Sequence, residues 1–179
     1  MQQVISDLPR SFEISFRRLS AGTFQLMTSQ TISLSPDRAF TFFEDPRNLF
    51  EITPDWLDFR LVNPDASEVS EGSEFDYTIR WCGIRMRWRS RIIDYLPPER
   101  FTDIQIRGPY RSWHHLHTFE GRPEGTLLRD VVTYKPPLIG VPFHDLMIRG
   151  QLTDIFSYRA VRIDEWAGSD FRPKALRRP

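Results

Sequence analysis

One cysteine, Cys82, stands in a chain of 179 residues. No intrachain disulfide can form and no cysteine-based zinc cluster is available, which suits a reducing compartment. Net charge is missing too: 24 Lys and Arg balance 24 Asp and Glu. No global field therefore draws the chain to nucleic acid or to an anionic membrane. No apolar run approaches the ~20 residues that span a bilayer. Asp7, Pro9, Arg10 and Glu13 interrupt any signal-peptide core. There are no internal repeats and no His-Glu-x-x-His metal motif. These absences lead to the expectation of a cytoplasmic protein with no cofactor, no nucleic-acid partner and no integral membrane association.

The composition is that of a single globular domain, with 40% hydrophobic and 27% charged residues. Residues 1–22 read as an extension in which Phe12, Ile14 and Phe16 could add a short strand. Residues 24–34 alternate as a first core strand. Ser35-Pro36-Asp37 opens a short helix, and a second short helix is expected over 47–53. Six strand signals follow, over residues 57–62, 74–81, 84–96, 100–107, 112–120 and 126–135, separated by turn residues such as Asn63-Pro64-Asp65 and Cys82-Gly83. Residues 143–166 carry Ile148, Leu152, Ile155, Phe156 and Ile163 at helical spacing. Residues 168–179 form a basic tail. The expected fold is α+β: a strongly bent seven-stranded antiparallel sheet wrapped around a long C-terminal helix, with the domain proper at 23–167. Arg85, Arg87, Arg89 and Arg91 share one parity and mark the outer sheet face.

The opposite parity is chemically mixed. Tyr77, Trp81, Met86, Trp88, Trp113 and Tyr134 supply an apolar and aromatic surface, and Asp103, Gln105, His115, His117 and Asp130 interrupt it. Buried polar groups must be hydrogen-bonded or hydrated, so this pattern points to a cavity. Counting across the turns places His115 opposite Asp130, Asp103 opposite His117 and Gln105 opposite His115. Three readings of the row stand side by side. It could orient the polar end of a ligand, it could be buried pairing that fixes strand register, or His115 and His117, with Asp130 and Asp103 behind them, could transfer protons. Leu152, Phe156 and Arg159 of the last helix face the same space, and Arg159 among apolar positions suits an anionic ligand group. Arg107 could point inward or lie at the rim. His114 belongs to the outer face, and His144 reads as a capping or surface residue. Two His and two Asp could hold a metal, but the motif is too unspecific to assign one. Cys82 has no evident base and is given no nucleophilic role.

The element order, the run Phe101-Thr-Asp-Ile-Gln-Ile-Arg-Gly-Pro-Tyr-Arg-Ser-Trp-His-His-Leu-His-Thr-Phe119, and Gly125, Thr126, Asp130 and Tyr134 after it together resemble the START/SRPBCC superfamily. More narrowly, they resemble its small bacterial ligand-binding proteins of the polyketide cyclase/dehydrase-like type. The resemblance covers residues 25–167 and implies a helix-grip fold with an internal cavity. It implies binding of a small, largely hydrophobic molecule with a polar end, in a carrier, sensor or storage role. A cyclase- or dehydratase-like enzyme acting on an aromatic or polyketide-type substrate is the alternative, and an interaction module using the outer face is a third.

Overall fold

A computed structural model describes residues 7–62, 69–81 and 83–168. The expected turn at Asn63-Pro64-Asp65, Cys82 and the basic tail beyond residue 168 lie outside the described residues. Eight strands form one antiparallel sheet: β1 (Glu13–Ser20), β2 (Thr23–Ile32), β3 (Arg60–Leu61), β4 (Glu74–Trp81), β5 (Ile84–Leu96), β6 (Arg100–Arg107), β7 (Ser112–Arg122) and β8 (Gly125–Lys135). Their spatial order is β1-β2-β8-β7-β6-β5-β4-β3. Helix α1 (Pro36–Glu44) follows β2, and α2 (Arg149–Ala167) closes the described chain.

The sheet has eight strands rather than the expected seven, because Ile14 and Phe16 belong to a full edge strand, with Phe12 just ahead of it. Residues 13–18 of β1 pair with 24–29 of β2. The segment expected as a strand over 57–62 is mostly irregular: Asp55–Leu57 is a 3-10 turn, and Asp58 ends it at φ 45. A left-handed residue at that point breaks the extended run and leaves two residues to pair. The second short helix is likewise one 3-10 turn, Asn48–Phe50. The last helix opens with a π-type turn, His144–Ile148, before its α-helical part begins.

Alternation explains which strand faces are buried. In β2 every second residue from Phe24 to Ile32 is buried, and Phe75, Tyr77 and Ile79 do the same in β4. The outer parity carries charge. Arg89 and Arg91 reach across to Asp76 and Glu74, and Arg85 reaches Asp58 at 2.6 Å. The hydrogen bond from Arg85, joined by Arg60 and Arg80, draws the Asp58 carboxyl down to about 2. Such exposed pairs contribute little to stability, and they mark this face as the hydrated one.

Two glycines fix the strand offsets around the polar row. Gly125 has φ +138, and a Cβ there would lie 2.0 Å from the Ile32 carbonyl oxygen. Only glycine fits, and it lets the chain turn tightly over Pro123 and Glu124, with Arg122 paired to Gly125. The expected register assumed a longer loop, so the observed partners of β7 in β8 lie two residues further on. Trp113 faces Tyr134, His115 faces Val132 and His117 faces Asp130. On the other side the ladder ends at Ile104 and His114, and Asp103 faces His115. Gln105 leaves the ladder: its side-chain amide donates to the Tyr110 carbonyl at 2.6 Å and its oxygen accepts from the Tyr110 N–H. A Cβ on Gly108 would lie 2.3 Å from that amide oxygen, so the turn closes around the Gln105 side chain. Gln105 stays in β6, opposite Ser90 of β5, but its side chain serves the turn and is not a member of the row.

Candidate functional site

Between the inner sheet face, the segment around residues 42–57 and α2 lies a cavity of about 180 Å³. Of the residues expected to line it, Tyr77, Trp81, Trp88, Asp103, Trp113, His115, His117, Leu152, Phe156 and Arg159 do so. Asp130 lies behind the two histidines. Met86 packs at the margin of the core instead. Tyr134 is fully buried and its hydroxyl is engaged elsewhere. Arg107 is exposed, so it takes no part in the interior. Phe42, Phe43, Leu49, Ile52 and Thr53, from the segment between β2 and β3, add to the lining.

Four side chains close a polar ring at one wall. His115 Nε2 lies 2.9 Å from Asp130 Oδ1, and that oxygen lies 2.9 Å from His117 Nδ1. His117 Nε2 lies 3.1 Å from Asp103 Oδ2, which lies 3.4 Å from His115 Nδ1. The His117 Nδ1 contact is short but out of line for a hydrogen bond, so the attraction there is that of charge. The imidazoles lie 3.8 Å apart between centroids, tilted by 34°. Thr28 donates its hydroxyl to Asp130 Oδ2 at 3.1 Å, and Arg159 Nη1 approaches Asp130 Oδ1 at 3.8 Å. The expected pairing of His115 with Asp130 as strand partners is corrected by the two-residue offset. Because the offset is even, every member stays on the inner face and the side chains still meet diagonally.

Burial and charge separate the two histidines. Burial and the neighbouring His117 hold His115 below its ordinary value of 6.5, against the pull of Asp130. Burial also opposes charge on His117, but hydrogen bonding and attraction from Asp103 and Asp130 together raise it. Burial likewise opposes charge on the carboxylates. The hydrogen bond from His115 and the close charge of His117 nevertheless hold Asp130 well below the ordinary range, and the hydrogen bond from His117 lowers Asp103. The cluster thus sets two carboxylates and the Arg159 guanidinium beside one histidine pushed toward the neutral imidazole and one pushed toward the imidazolium. Asp103, His115 and His117 bring potential metal-ligand atoms within 4.8 Å of one another. That set is chemically able to take a divalent cation, although His117 Nε2 and Asp103 are already hydrogen-bonded to each other.

Several site residues were not legible from pattern alone. Tyr110 lies in a turn, yet its ring packs against Trp113 at 4.8 Å and Trp88 at 5.9 Å. Ser90 is a small residue in an aromatic row, and its hydroxyl meets the Tyr77 hydroxyl at 3.4 Å. Burial raises the Tyr77 phenol, so it stays neutral and accepts from Ser90. His144 corrects the surface reading: it is 4% exposed, stacks on Phe24 at 3.5 Å and lies 2.7 Å from the Tyr134 hydroxyl. Its Nδ1 faces Asp145 at 3.0 Å, so Nδ1–H donates there and Nε2 accepts from Tyr134. The π-type turn carries the residue inward, a shift that helical spacing does not reveal. A Tyr134→Phe variant removes the donor and strands a buried acceptor. It is expected to lose about 1–3 kcal/mol of stability in urea unfolding; an unchanged midpoint would contradict the pairing.

Residues 32–156 match the model of the family described as polyketide cyclase / dehydrase and lipid transport. The chain belongs to this family, of the SRPBCC type. Solved structures of similar fold include the protein Ms6760 of Mycobacterium smegmatis, at 16% identity and a TM-score of 0.61, covering 86% of this chain and 95% of that one. TTHA0849 of Thermus thermophilus aligns at 14% identity and a TM-score of 0.64, over 80% of this chain and 96% of that one. CalU16 of Micromonospora echinospora aligns at 14% identity and a TM-score of 0.55, over 92% and 88%. At these identities the likeness is one of fold. No curated protein matches the sequence. Among the described residues, no helix is long and apolar enough to cross a membrane.

Proposed function

We propose that the protein binds one small, largely hydrophobic molecule in the cavity, with the sheet gripping α2 around it and the polar end of the ligand at the His–Asp–Arg wall. The observation that carries this reading is an aromatic enclosure with one polar wall. Trp88 and Trp113 meet edge to face at 5.3 Å, Phe75, Ile79 and Leu152 complete the apolar lining, and charged groups converge beside Phe156. An apolar cavity of about 150 Å³ takes up benzene, so 180 Å³ suits a body of one to two rings. Membership in a family that includes lipid transport supports the same class of ligand. The role is that of a carrier, sensor or store in the cytoplasm.

Native mass spectrometry followed by solvent extraction tests this reading on the purified protein. One discrete apolar compound at one copy per chain is the expected result; excess mass from a heterogeneous lipid mixture with no stoichiometry would contradict it.

A second reading rests on one specific feature. His115 borders the cavity, is held neutral, and is backed by the ionised Asp130, which is the arrangement of a general base. For a cyclase- or dehydratase-like reaction, His115→Ala would abolish turnover of an identified substrate while leaving its binding within about threefold. Retained turnover would remove His115 from that role.

A further inference from the structure

Among the described residues, the buried side-chain polar atoms without a hydrogen-bond partner are Trp81 Nε1, His117 Nδ1, and Nε and Nη1 of Arg159. Three of these four are obligate N–H donors. Native interiors satisfy such groups almost without exception, and an unmet guanidinium donor is among the most costly because the group is always charged. Arg159 is only 9% exposed and projects from the middle of α2 into the cavity. Its guanidinium lies over the Phe156 ring at 5.1 Å. Asp130 at 3.8 Å is too distant to accept a hydrogen bond. Both carboxylates of the wall are already committed, Asp130 to His115 and Thr28, and Asp103 to His117.

We propose that the ligand is an apolar acid, a one- to two-ring hydrophobic body whose carboxylate is received by Arg159. This rests on the cavity-binding reading above and adds the charge of the ligand's polar end. A guanidinium held in an apolar setting favours a carboxylate over a hydroxyl, since charge-assisted hydrogen bonds are about twice as strong as neutral ones. The carboxylate supplies acceptors only, and the unmet groups of Arg159 are donors only. Phe156 and Trp113 flank the polar wall and leave the ring body of the acid against apolar surface.

The test uses a matched pair, 2-naphthoic acid and 2-naphthalenemethanol, titrated at pH 7 against the whole protein with intrinsic tryptophan fluorescence as readout. The wild type is expected to bind the acid at least tenfold more tightly than the alcohol. Arg159→Met is expected to erase that preference, the acid losing at least tenfold more affinity than the alcohol. Arg159→Lys keeps a charge and is expected to retain part of the preference. It also provides the comparison if the methionine variant does not fold. Alcohol bound as tightly as the acid by the wild type, or a preference that survives Arg159→Met, would overturn the proposal and leave the cavity reading standing. Binding of neither compound would overturn both.

Discussion

An Asp130→Ala variant is expected to lose about 3–5 kcal/mol of unfolding free energy at pH 7, measured by urea denaturation. Asp130 is the common neighbour of the polar ring. It accepts from Thr28 at 3.1 Å, lies 2.9 Å from a nitrogen of each histidine, and is the carboxylate nearest Arg159. Its removal strands the Thr28 hydroxyl and leaves the His117 imidazolium and the Arg159 guanidinium short of buried counter-charge. Breaking a buried ion pair by deleting one partner costs an amount of that order, because the surviving charge stays desolvated. A loss below about 1 kcal/mol would mean that the ring is hydrated and not held by charge. Asp130→Asn keeps an acceptor of the same shape and isolates the role of the charge.

The same ring sets the response to pH. Asp103 and Asp130 have folded values below the ordinary 3.8. Their contribution is complete above that value and is lost as pH falls through the folded values. His117 is raised above 6.5, so its contribution is complete below 6.5 and is lost as pH rises through its folded value. His115 is lowered and acts in the opposite sense, withdrawing stability as pH falls below 6.5. The histidines thus partly offset each other near neutrality, and the steep limb is the acid one. Asp130→Asn should show a shallower loss of stability below pH ~4 than the wild type.

Phe40→Ala is expected to cost about 3–5 kcal/mol, the usual range for deleting a buried phenyl ring. Phe40 is 2% exposed and meets Phe101, Phe119 and Tyr95 at centroid distances of 5.6, 5.3 and 5.6 Å. It fastens α1 to β6 and β7, and α1 in turn presents Phe42 and Phe43 to the cavity. The loss of stability should therefore be accompanied by weaker ligand uptake. Unfolding by urea with parallel binding of 2-naphthalenemethanol checks both. A stable variant with unaltered binding would show that the α1 contact is dispensable.

Strand parity was legible because period-two alternation records which face each side chain takes, and parity alone brought Asp103, His115, His117 and Asp130 to one wall. The partners along the strands were not legible, since they depend on turn length. A tight Arg122–Gly125 turn and the early end of the β6–β7 ladder moved each by two residues. Gln105 was misplaced for the same reason: its amide serves the backbone of a turn, a local competition that alternation does not encode. His144 was hidden by a π-type turn, and Tyr110 by its position outside any strand. Arg159 stood out as a charge among apolar helix positions, and the structure buries it. Its unmet donors emerge only once every neighbouring acceptor has been placed.

The cavity itself is tested most directly by titrating the wild type and Ser90→Phe with 2-naphthalenemethanol while following tryptophan fluorescence. Ser90 is 3% exposed and lines the cavity beside Tyr77, so a phenyl group at that position occupies the space a ligand would take. Saturable one-to-one binding to the wild type is expected. Binding to the variant should be at least a hundredfold weaker, with a far-ultraviolet circular dichroism spectrum that matches the wild type. Equal binding to both, or a response that never saturates, would place the molecule on the surface and contradict the cavity as the binding site.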